Sequence, residues 1–78
     1  SKTCVNITSN LHRGNETSAV SKLQSFLISK GILSEKVSGF YGDYTVDAVK
    51  TYQQSVGLPE TGMVYGATRA AIAEETCN

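Results

Sequence analysis

The fold is decided by the stretch Gly39-Phe40-Tyr41-Gly42-Asp43-Tyr44-Thr45-Val46-Asp47-Ala48-Val49-Lys50-Thr51-Tyr52-Gln53-Gln54-Ser55-Val56-Gly57-Leu58. Gly39 and Gly42 bracket a turn, because a residue without a Cβ tolerates positive φ. Thr45 is the predicted N-cap of a helix, since its hydroxyl can accept a hydrogen bond from a first-turn amide. Asp47 then falls in the first turn, where the helix dipole favours a negative charge. The stretch therefore predicts a tight turn followed by a helix.

This helix has one apolar face and a clear end. Helical spacing places on that face Ala48, Val49, Tyr52 and Val56. Gly57 can adopt the left-handed conformation that ends a helix, with Leu58 as the apolar partner of a Schellman-type end. Pro59 then prevents the helix from resuming.

The same pattern occurs a second time, without a gap, from Gly62 to Ile72. The aligned pairs are Gly39 and Gly62, Tyr41 and Val64, Thr45 and Thr68, Ala48 and Ala71, and Val49 and Ile72. Self-similarity at a fixed period indicates a repeated structural unit. The sequence therefore predicts a repeated turn-plus-helix unit within one small domain.

An earlier helix precedes these two units. Residues 1–17 are polar and irregular, with a turn at Arg13-Gly14-Asn15 and apolar contacts expected from Val5, Ile7 and Leu11. Thr17 or Ser18 can cap a helix that runs to about Lys30 and ends at Gly31. The stripe that it buries is expected to comprise Val20, Leu23, Phe26, Leu27 and, at its margin, Ile28. Ile32 and Leu33 are expected to pack under an exposed loop of residues 34–38.

The last helix is predicted from about Arg69 to Glu75, with the segment ending at Cys77. Brief pairing between residues 37–40 and 63–64 is the one strand-like feature that the pattern allows. The predicted fold class is all-α: a compact three-helix bundle with glycine-rich turns.

Length and cysteine content point to a covalent staple. The chain has 78 residues and 2 cysteines, Cys4 and Cys77, at opposite ends. Small domains often need such a staple, and the ends of a compact domain commonly lie close together. A bridge between them implies an oxidising compartment, whereas the alternative is two unrelated thiols. No zinc site is expected, because two cysteines and the lone His12 offer no ligand pair at useful spacing.

Charge and hydropathy exclude several classes of protein. The formal net charge is +0, from 7 basic and 7 acidic residues that are interspersed. Nucleic-acid binding therefore lacks its electrostatic footprint. No apolar run reaches membrane-spanning length, and no signal peptide is recognisable. We expect a mature or excised piece of a secreted protein that is monomeric.

Three motifs, in the right order and spacing over residues 11–72, resemble the peptidoglycan-binding-like domain of bacterial cell-wall hydrolases. The first is carried by Leu11, Gly14, Val20, Leu23 and Gln24. The second is carried by Gly39, Tyr41, Gly42, Thr45, Ala48, Val49, Tyr52, Gln53, Gly57 and Leu58, and the third by Gly62, Val64 and Thr68. The cysteine pair lies outside this pattern. Three positions depart from it, because the family usually has glycine at Thr17 and Tyr65 and proline at Gly66.

No catalytic constellation is present in the sequence. His12 is the only histidine, and neither cysteine has a base nearby in sequence. A glycosidase needs two carboxylates held in one cleft, whereas the carboxylates of this chain are scattered over predicted surfaces. The sequence predicts a protein that is not an enzyme and needs no cofactor or metal.

A peptidoglycan site should combine aromatic faces, polar side chains and a cation. The candidate ligand-binding residues are Phe40, Asp43, Tyr44, Tyr65 and Arg69. Each has a structural alternative: loop packing for Phe40, turn formation for Asp43, and helix solvation for Arg69. Tyr44 and Tyr65 are expected to be exposed without a structural reason. Tyr41 and Tyr52 are interpreted as core residues, and Gln24 and Gln53 as partners of loop backbone.

The resemblance implies non-catalytic binding of peptidoglycan, through its glycan strand or its stem peptide. In the family, the domain targets an attached catalytic or surface domain to the cell wall. The alternative is a protein-interaction module, or a pro-segment of the kind that secreted metalloproteases carry on the same fold. An autonomous lytic enzyme is a third hypothesis.

Overall fold

The structure, a computed structural model, describes residues 4–77. Three helices follow one another along the chain: α1 (Ser18–Ser29), α2 (Asp43–Ser55) and α3 (Gly66–Cys77). Within residues 4–77 there is no strand, only two isolated antiparallel bridges. The principal extents are 28 × 25 × 23 Å. The prediction of an all-α, three-helix bundle is confirmed.

Helix α1 begins and ends as its sequence predicts. Thr17 is the N-cap, and its Oγ1 accepts a hydrogen bond from the amide of Val20 at 3.4 Å. At the other end Gly31 has a φ of 74°, and the amide of Ile32 donates to the carbonyl of Leu27 at 3.0 Å. Ile28 lies outside the buried stripe, with 37% of its surface exposed.

Helix α2 begins earlier than predicted, and the assignment of Thr45 as its N-cap is wrong. The N-cap is Gly42, whose φ of −103° is open to any residue. The expectation of positive φ therefore holds for Gly39, at 82°, but not for Gly42. The acidic residue in the first turn is Asp43 and not Asp47.

The end of α2 is a Schellman motif, as predicted. Gly57 has a φ of 77°, and the amide of Leu58 donates to the carbonyl of Gln53 at 2.8 Å. Val56 does not belong to the buried face, because it caps the helix and is 40% exposed.

Helix α3 also begins earlier than predicted. It starts at Gly66, so that Arg69 is its fourth residue and Thr68 lies inside its first turn. Thr68 is buried and does not cap the helix. The helix ends at Cys77, as expected.

The brief pairing of residues 37–40 with residues 63–64, which the sequence pattern allows, does not form. The two bridges join Leu11 to Val64 and Glu16 to Phe40. Each of the two turns, one before α2 and one before α3, therefore pairs with the N-terminal segment (residues 4–17) and not with the other turn. The N-terminal segment lies between the two turns and connects them.

The hydrophobic core draws on all three helices and on the segments that join them. It comprises Val5, Ile7, Leu11, Val20, Leu23, Phe26, Leu27, Leu33, Tyr41, Ala48, Val49, Tyr52, Val64 and Ile72. Phe26 and Tyr52 meet edge to face, with ring centroids 5.3 Å apart. The interpretation of Tyr41 and Tyr52 as core residues is confirmed.

A disulfide joins Cys4 to Cys77, with a Cα–Cα distance of 4.4 Å. Beside it the amide of Val5 donates to Oγ1 of Thr76 at 2.9 Å. These contacts fasten the N-terminal segment to the end of α3, so that Val5 and Ile7 are held in the core.

Candidate functional site

The turn before α2 is built around the buried side chain of Gln24. Its Oε1 accepts hydrogen bonds from the amides of Ser38 and Gly39, at 3.0 and 2.9 Å. Its Nε2 donates to the carbonyl of Phe40 at 2.8 Å and to Oγ1 of Thr45 at 3.1 Å. One side-chain amide therefore makes hydrogen bonds to the backbone on both sides of this turn and to Thr45, near the start of the following helix.

Gln53 plays the same part in the turn before α3. Its Oε1 accepts from the amide of Gly62 at 3.0 Å. Its Nε2 donates to the carbonyl of Met63 at 2.9 Å and to Oγ1 of Thr68 at 3.1 Å. The interpretation of Gln24 and Gln53 as partners of loop backbone is confirmed.

These two networks fix the backbone of both turns while leaving aromatic side chains outside the core. Phe40 is 48% exposed, Tyr44 68% and Tyr65 42%. Exposed rings on a fixed backbone are suited to ligand contact, because little backbone entropy is lost when they bind and each ring has only two χ angles to fix. Each turn also borders a surface cavity.

The first cavity, which we call the Phe40 cavity, has a volume of about 460 Å³. It lies between the loop after α1 and the start of α2. Its lining residues are Gln24, Leu33, Ser34, Glu35, Lys36, Ser38, Phe40, Gly42, Tyr44 and Thr45. It brings together two of the predicted site residues, Phe40 and Tyr44. One acidic side chain, Glu35, and one basic side chain, Lys36, also line it.

The second cavity, which we call the Tyr65 cavity, has a volume of about 390 Å³. It lies between the N-terminal segment, α2 and the second turn. Its lining residues are His12, Arg13, Val46, Thr61, Gly62, Met63 and Tyr65. One predicted site residue, Tyr65, lies here, away from Phe40 and Tyr44.

An ion pair connects the Tyr65 cavity to the start of α2. Nη2 of Arg13 lies 3.0 Å from Oδ1 of Asp43, and both side chains are well exposed. Asp43 is adjacent in sequence to Tyr44, which lines the Phe40 cavity. The predicted site residue Asp43 therefore lies between the two cavities, in contact with a cation of the second.

Arg69 lines neither the Phe40 cavity nor the Tyr65 cavity. Its Nε is buried and has no hydrogen-bond partner among residues 4–77. Its proposed contact with ligand stays a prediction.

Sequence reasoning missed the part that the N-terminal segment plays. The sequence indicates only a lone histidine at His12 and a turn at Arg13, yet both side chains line the Tyr65 cavity. It indicates only an exposed loop at Lys36, yet this residue lines the Phe40 cavity. The one available signal was a cation beside a glycine turn, which is too common to single out a site.

The titratable groups with clearly raised pKa are two phenols of the core. Burial raises the pKa of Tyr41 far above its ordinary value, and Tyr65 adds to the shift. Burial, with the charge of Glu75 as a lesser cause, raises the pKa of Tyr52 to about 12. Both phenols are therefore neutral at physiological pH, and neither lines the Phe40 cavity or the Tyr65 cavity.

Two kinds of feature are absent from the described part of the chain. No group of three or more His, Cys, Asp or Glu side chains within residues 4–77 could hold a metal ion. None of the helices described there is long and apolar enough to cross a membrane.

Comparison with known proteins gives a family and a fold neighbour. A family model described as "Putative peptidoglycan binding domain" matches residues 16–72. The crystal structure of the SleB N-terminal domain is similar, with a TM-score of 0.83 and 31% sequence identity. The alignment covers 87% of this chain and 93% of that one. In a search of curated proteins, no sequence matches the chain.

Proposed function

This chain belongs to the peptidoglycan-binding domain family, and we propose that it holds its ligand at the aromatic side chains beside its two turns. Bacterial cell-wall peptidoglycan is the ligand class that the family assignment supports. The polymer presents pyranose faces, N-acetyl methyl groups, amides and carboxylates. Exposed aromatic rings beside polar side chains are the complement of such a surface.

One observation supports this site above others: Phe40 and Tyr44 are both exposed on the rim of one cavity. The backbone that carries them is held from below by Gln24. Tyr44 is 68% exposed, so its ring has little role in packing. Rings of this kind, placed on rigid backbone, can stack on a sugar face with little loss of conformational freedom.

The other predicted residues take different parts in this proposal. Tyr65 extends the contact surface into the Tyr65 cavity. Asp43 holds Arg13 between the two cavities. Arg69 lines neither cavity and has the weakest support of the five.

The biological role that we propose is targeting. The domain would hold an attached catalytic or surface domain near the cell wall and raise its local concentration there. The similar solved structure is itself described as an N-terminal domain. We propose that residues 1–78 form one monomeric, secreted domain without enzymatic activity or cofactor, and that its two turn-plus-helix units are repeats of one pattern. The family assignment does not favour the alternatives, a protein-interaction module or a pro-segment.

Binding to purified, protein-free sacculi tests this proposal. The oxidised domain is compared with Phe40→Ala, Tyr44→Ala and Tyr65→Ala variants in a pull-down with increasing amounts of sacculi. An aromatic contact contributes roughly 0.5–1.5 kcal/mol, so each loss should weaken binding about two- to tenfold. Val56→Ala is the matched control, because Val56 is also exposed but caps the far end of α2.

Two results would count against the proposal. Failure of the wild-type domain to bind sacculi of several chemotypes would reject the function for this chain. Saturable binding that is unchanged in all three aromatic variants would keep the function and reject the site. Circular dichroism of each variant confirms that a loss of binding is not a loss of folding.

A further inference from the structure

We propose that the Tyr65 cavity is a subsite for the carboxylate groups of peptidoglycan stem peptides, with Arg13 as the principal contact. The inference rests on the proposed function, since it names the part of the polymer that this cavity would take. It assigns different chemistry to the two cavities, and four features of the structure carry it.

The first feature is charge. The lining of the Tyr65 cavity contains the cation Arg13 and no carboxylate side chain. Lys50 adds to this, because its Cε lies 3.2 Å from where a Cβ at Gly62 would be. The Phe40 cavity, in contrast, has one acidic and one basic side chain in its lining. In a chain with a net charge of +0, the two cations Arg13 and Lys50 beside the one carboxylate of Asp43 leave a local positive charge, which favours an anionic group.

The second feature is a rigid support for the cations. The amide of His12 donates to Oδ1 of Asn15 at 2.9 Å, which closes the loop on itself. The amide of Gly14 donates to the carbonyl of Tyr41 at 2.9 Å and ties the loop to the first turn. The bridge at Leu11 ties the same loop to the second turn. Arg13 is therefore presented from a backbone that is fixed on both sides.

The third feature is the ion pair of Arg13 with Asp43. The contact engages Nη2 at 3.0 Å, and the pair is open to solvent, with 70% and 74% of the two side chains exposed. Exposed ion pairs are weak and exchange readily. Guanidinium binds carboxylate through two parallel N–H donors, so a ligand carboxylate can take the place of Asp43 or share the group with it. Asp43 both positions the cation and competes with the ligand.

The fourth feature is the orientation of His12 and the apolar wall opposite it. Nδ1 of His12 lies 2.9 Å from the carbonyl oxygen of Arg13. A carbonyl oxygen only accepts, so Nδ1 carries the proton, and Nε2 of the neutral ring is an acceptor that can take a hydrogen bond from an amide N–H of the stem peptide but does not bind its carboxylate. Val46, Met63 and Tyr65 form the apolar part of the lining. A short aliphatic side chain next to a carboxylate, as in a terminal amino acid, suits this combination.

The test uses a soluble muropeptide, released from sacculi by a muramidase, in its free-acid form and after chemical amidation of its carboxylates. Both are titrated into the oxidised, ¹⁵N-labelled domain and followed by amide chemical shifts. The free acid should shift the amides of His12, Arg13, Met63 and Tyr65. Amidation should weaken the affinity on the order of tenfold, which corresponds to about 1.4 kcal/mol.

Variants of the two residues in the ion pair should change the affinity for the free-acid muropeptide in opposite directions. Arg13→Gln should weaken binding of the free acid about tenfold and leave the amidated form unchanged. Asp43→Asn should strengthen binding of the free acid, because the competing carboxylate is gone. A structural role for the ion pair would instead weaken binding in both variants. Lys22→Gln is the matched control, an exposed cation on α1 that lines neither the Phe40 cavity nor the Tyr65 cavity.

The inference is rejected if amidation or Arg13→Gln leaves the affinity unchanged, or if the shifts are confined to the Phe40 cavity. A parallel pull-down with intact sacculi separates this failure from that of the proposed function. Sacculi that bind the wild-type domain, together with no effect of amidation, reject only the carboxylate subsite. Sacculi that do not bind at all reject both proposals.

Discussion

At the scale of single residues, two buried glutamines account for most of the order in the turns. Gln24 and Gln53 are 2% and 1% exposed, although glutamine is usually a surface residue. Each places its side-chain amide beside backbone groups of a turn that would otherwise lack hydrogen-bond partners. A buried polar group without a partner is costly, so these side chains stabilise the turns by satisfying the backbone rather than by apolar packing.

Gln53→Ala should destabilise the domain by roughly 2–4 kcal/mol, since it leaves several buried turn groups unsatisfied at about 1–3 kcal/mol each. Gln54→Ala, its neighbour on α2, is the matched control, because Gln54 is exposed. It should change stability by less than about 0.5 kcal/mol. Urea denaturation of the oxidised proteins measures both. Equal midpoints for the two variants would show that the hydrogen bonds of Gln53 contribute no net stability.

At the scale of elements, two glycines with left-handed backbone differ in how closely they pack against neighbouring elements. Gly62 is buried in the second turn, and a Cβ there would lie 2.9 Å from Cγ1 of Val46. Gly31, at the end of α1, has a nearly identical φ but nothing within 4 Å of its Cβ position. Glycine is therefore required at Gly62 both by the backbone conformation and by the close contact, and at Gly31 by the backbone conformation alone.

Gly62→Ala should therefore destabilise the domain more than Gly31→Ala. Left-handed backbone costs a residue with a Cβ roughly 1–2 kcal/mol, and both variants lose that amount. Only Gly62→Ala adds a steric clash, which Val46→Ala should partly relieve in the double variant. Denaturation midpoints of Gly62→Ala, Gly31→Ala, Val46→Ala and the Gly62→Ala/Val46→Ala double variant measure the difference. A double variant no more stable than the sum of its single changes would contradict the contact.

At the scale of the whole molecule, the disulfide compensates for a small core. The bridge joins residues with a sequence separation of 73 and fastens the N-terminal segment to α3. The segment in turn carries Leu11, whose bridge to Val64 holds the second turn. Loss of the covalent link should loosen the segment that presents His12 and Arg13.

Replacing both cysteines by serine should lower the free energy of unfolding by roughly 4 kcal/mol, on the loop-entropy account of a closed loop of this length. Denaturation in urea, with and without reductant, measures this. Reductant should shift the wild-type midpoint to that of the Cys4→Ser/Cys77→Ser variant and leave the variant unchanged. A wild-type midpoint that does not respond to full reduction would show that the core alone carries the stability.

Local sequence patterns were enough to predict the fold class, the number of helices, the residues at which the helices end and the core, except that Val56 and Ile28 are exposed. Helix ends at Gly31 and Gly57 follow from local backbone preference, and buried stripes follow from helical period. These features depend on residues close together in the chain. For that reason the end of α2 was predicted correctly although its beginning was not.

Contacts between segments far apart in the chain set where α2 and α3 begin and where the cavities lie. The hydroxyls of Thr45 and Thr68 could have capped helices locally, but each accepts a hydrogen bond from a distant buried glutamine instead. Arg13 and Asp43 meet because the N-terminal segment lies between the two turns, a contact that neither residue's neighbours in sequence indicate. A local sequence pattern indicates which contacts a residue is able to make. Packing among segments far apart in the chain determines which of these contacts it makes.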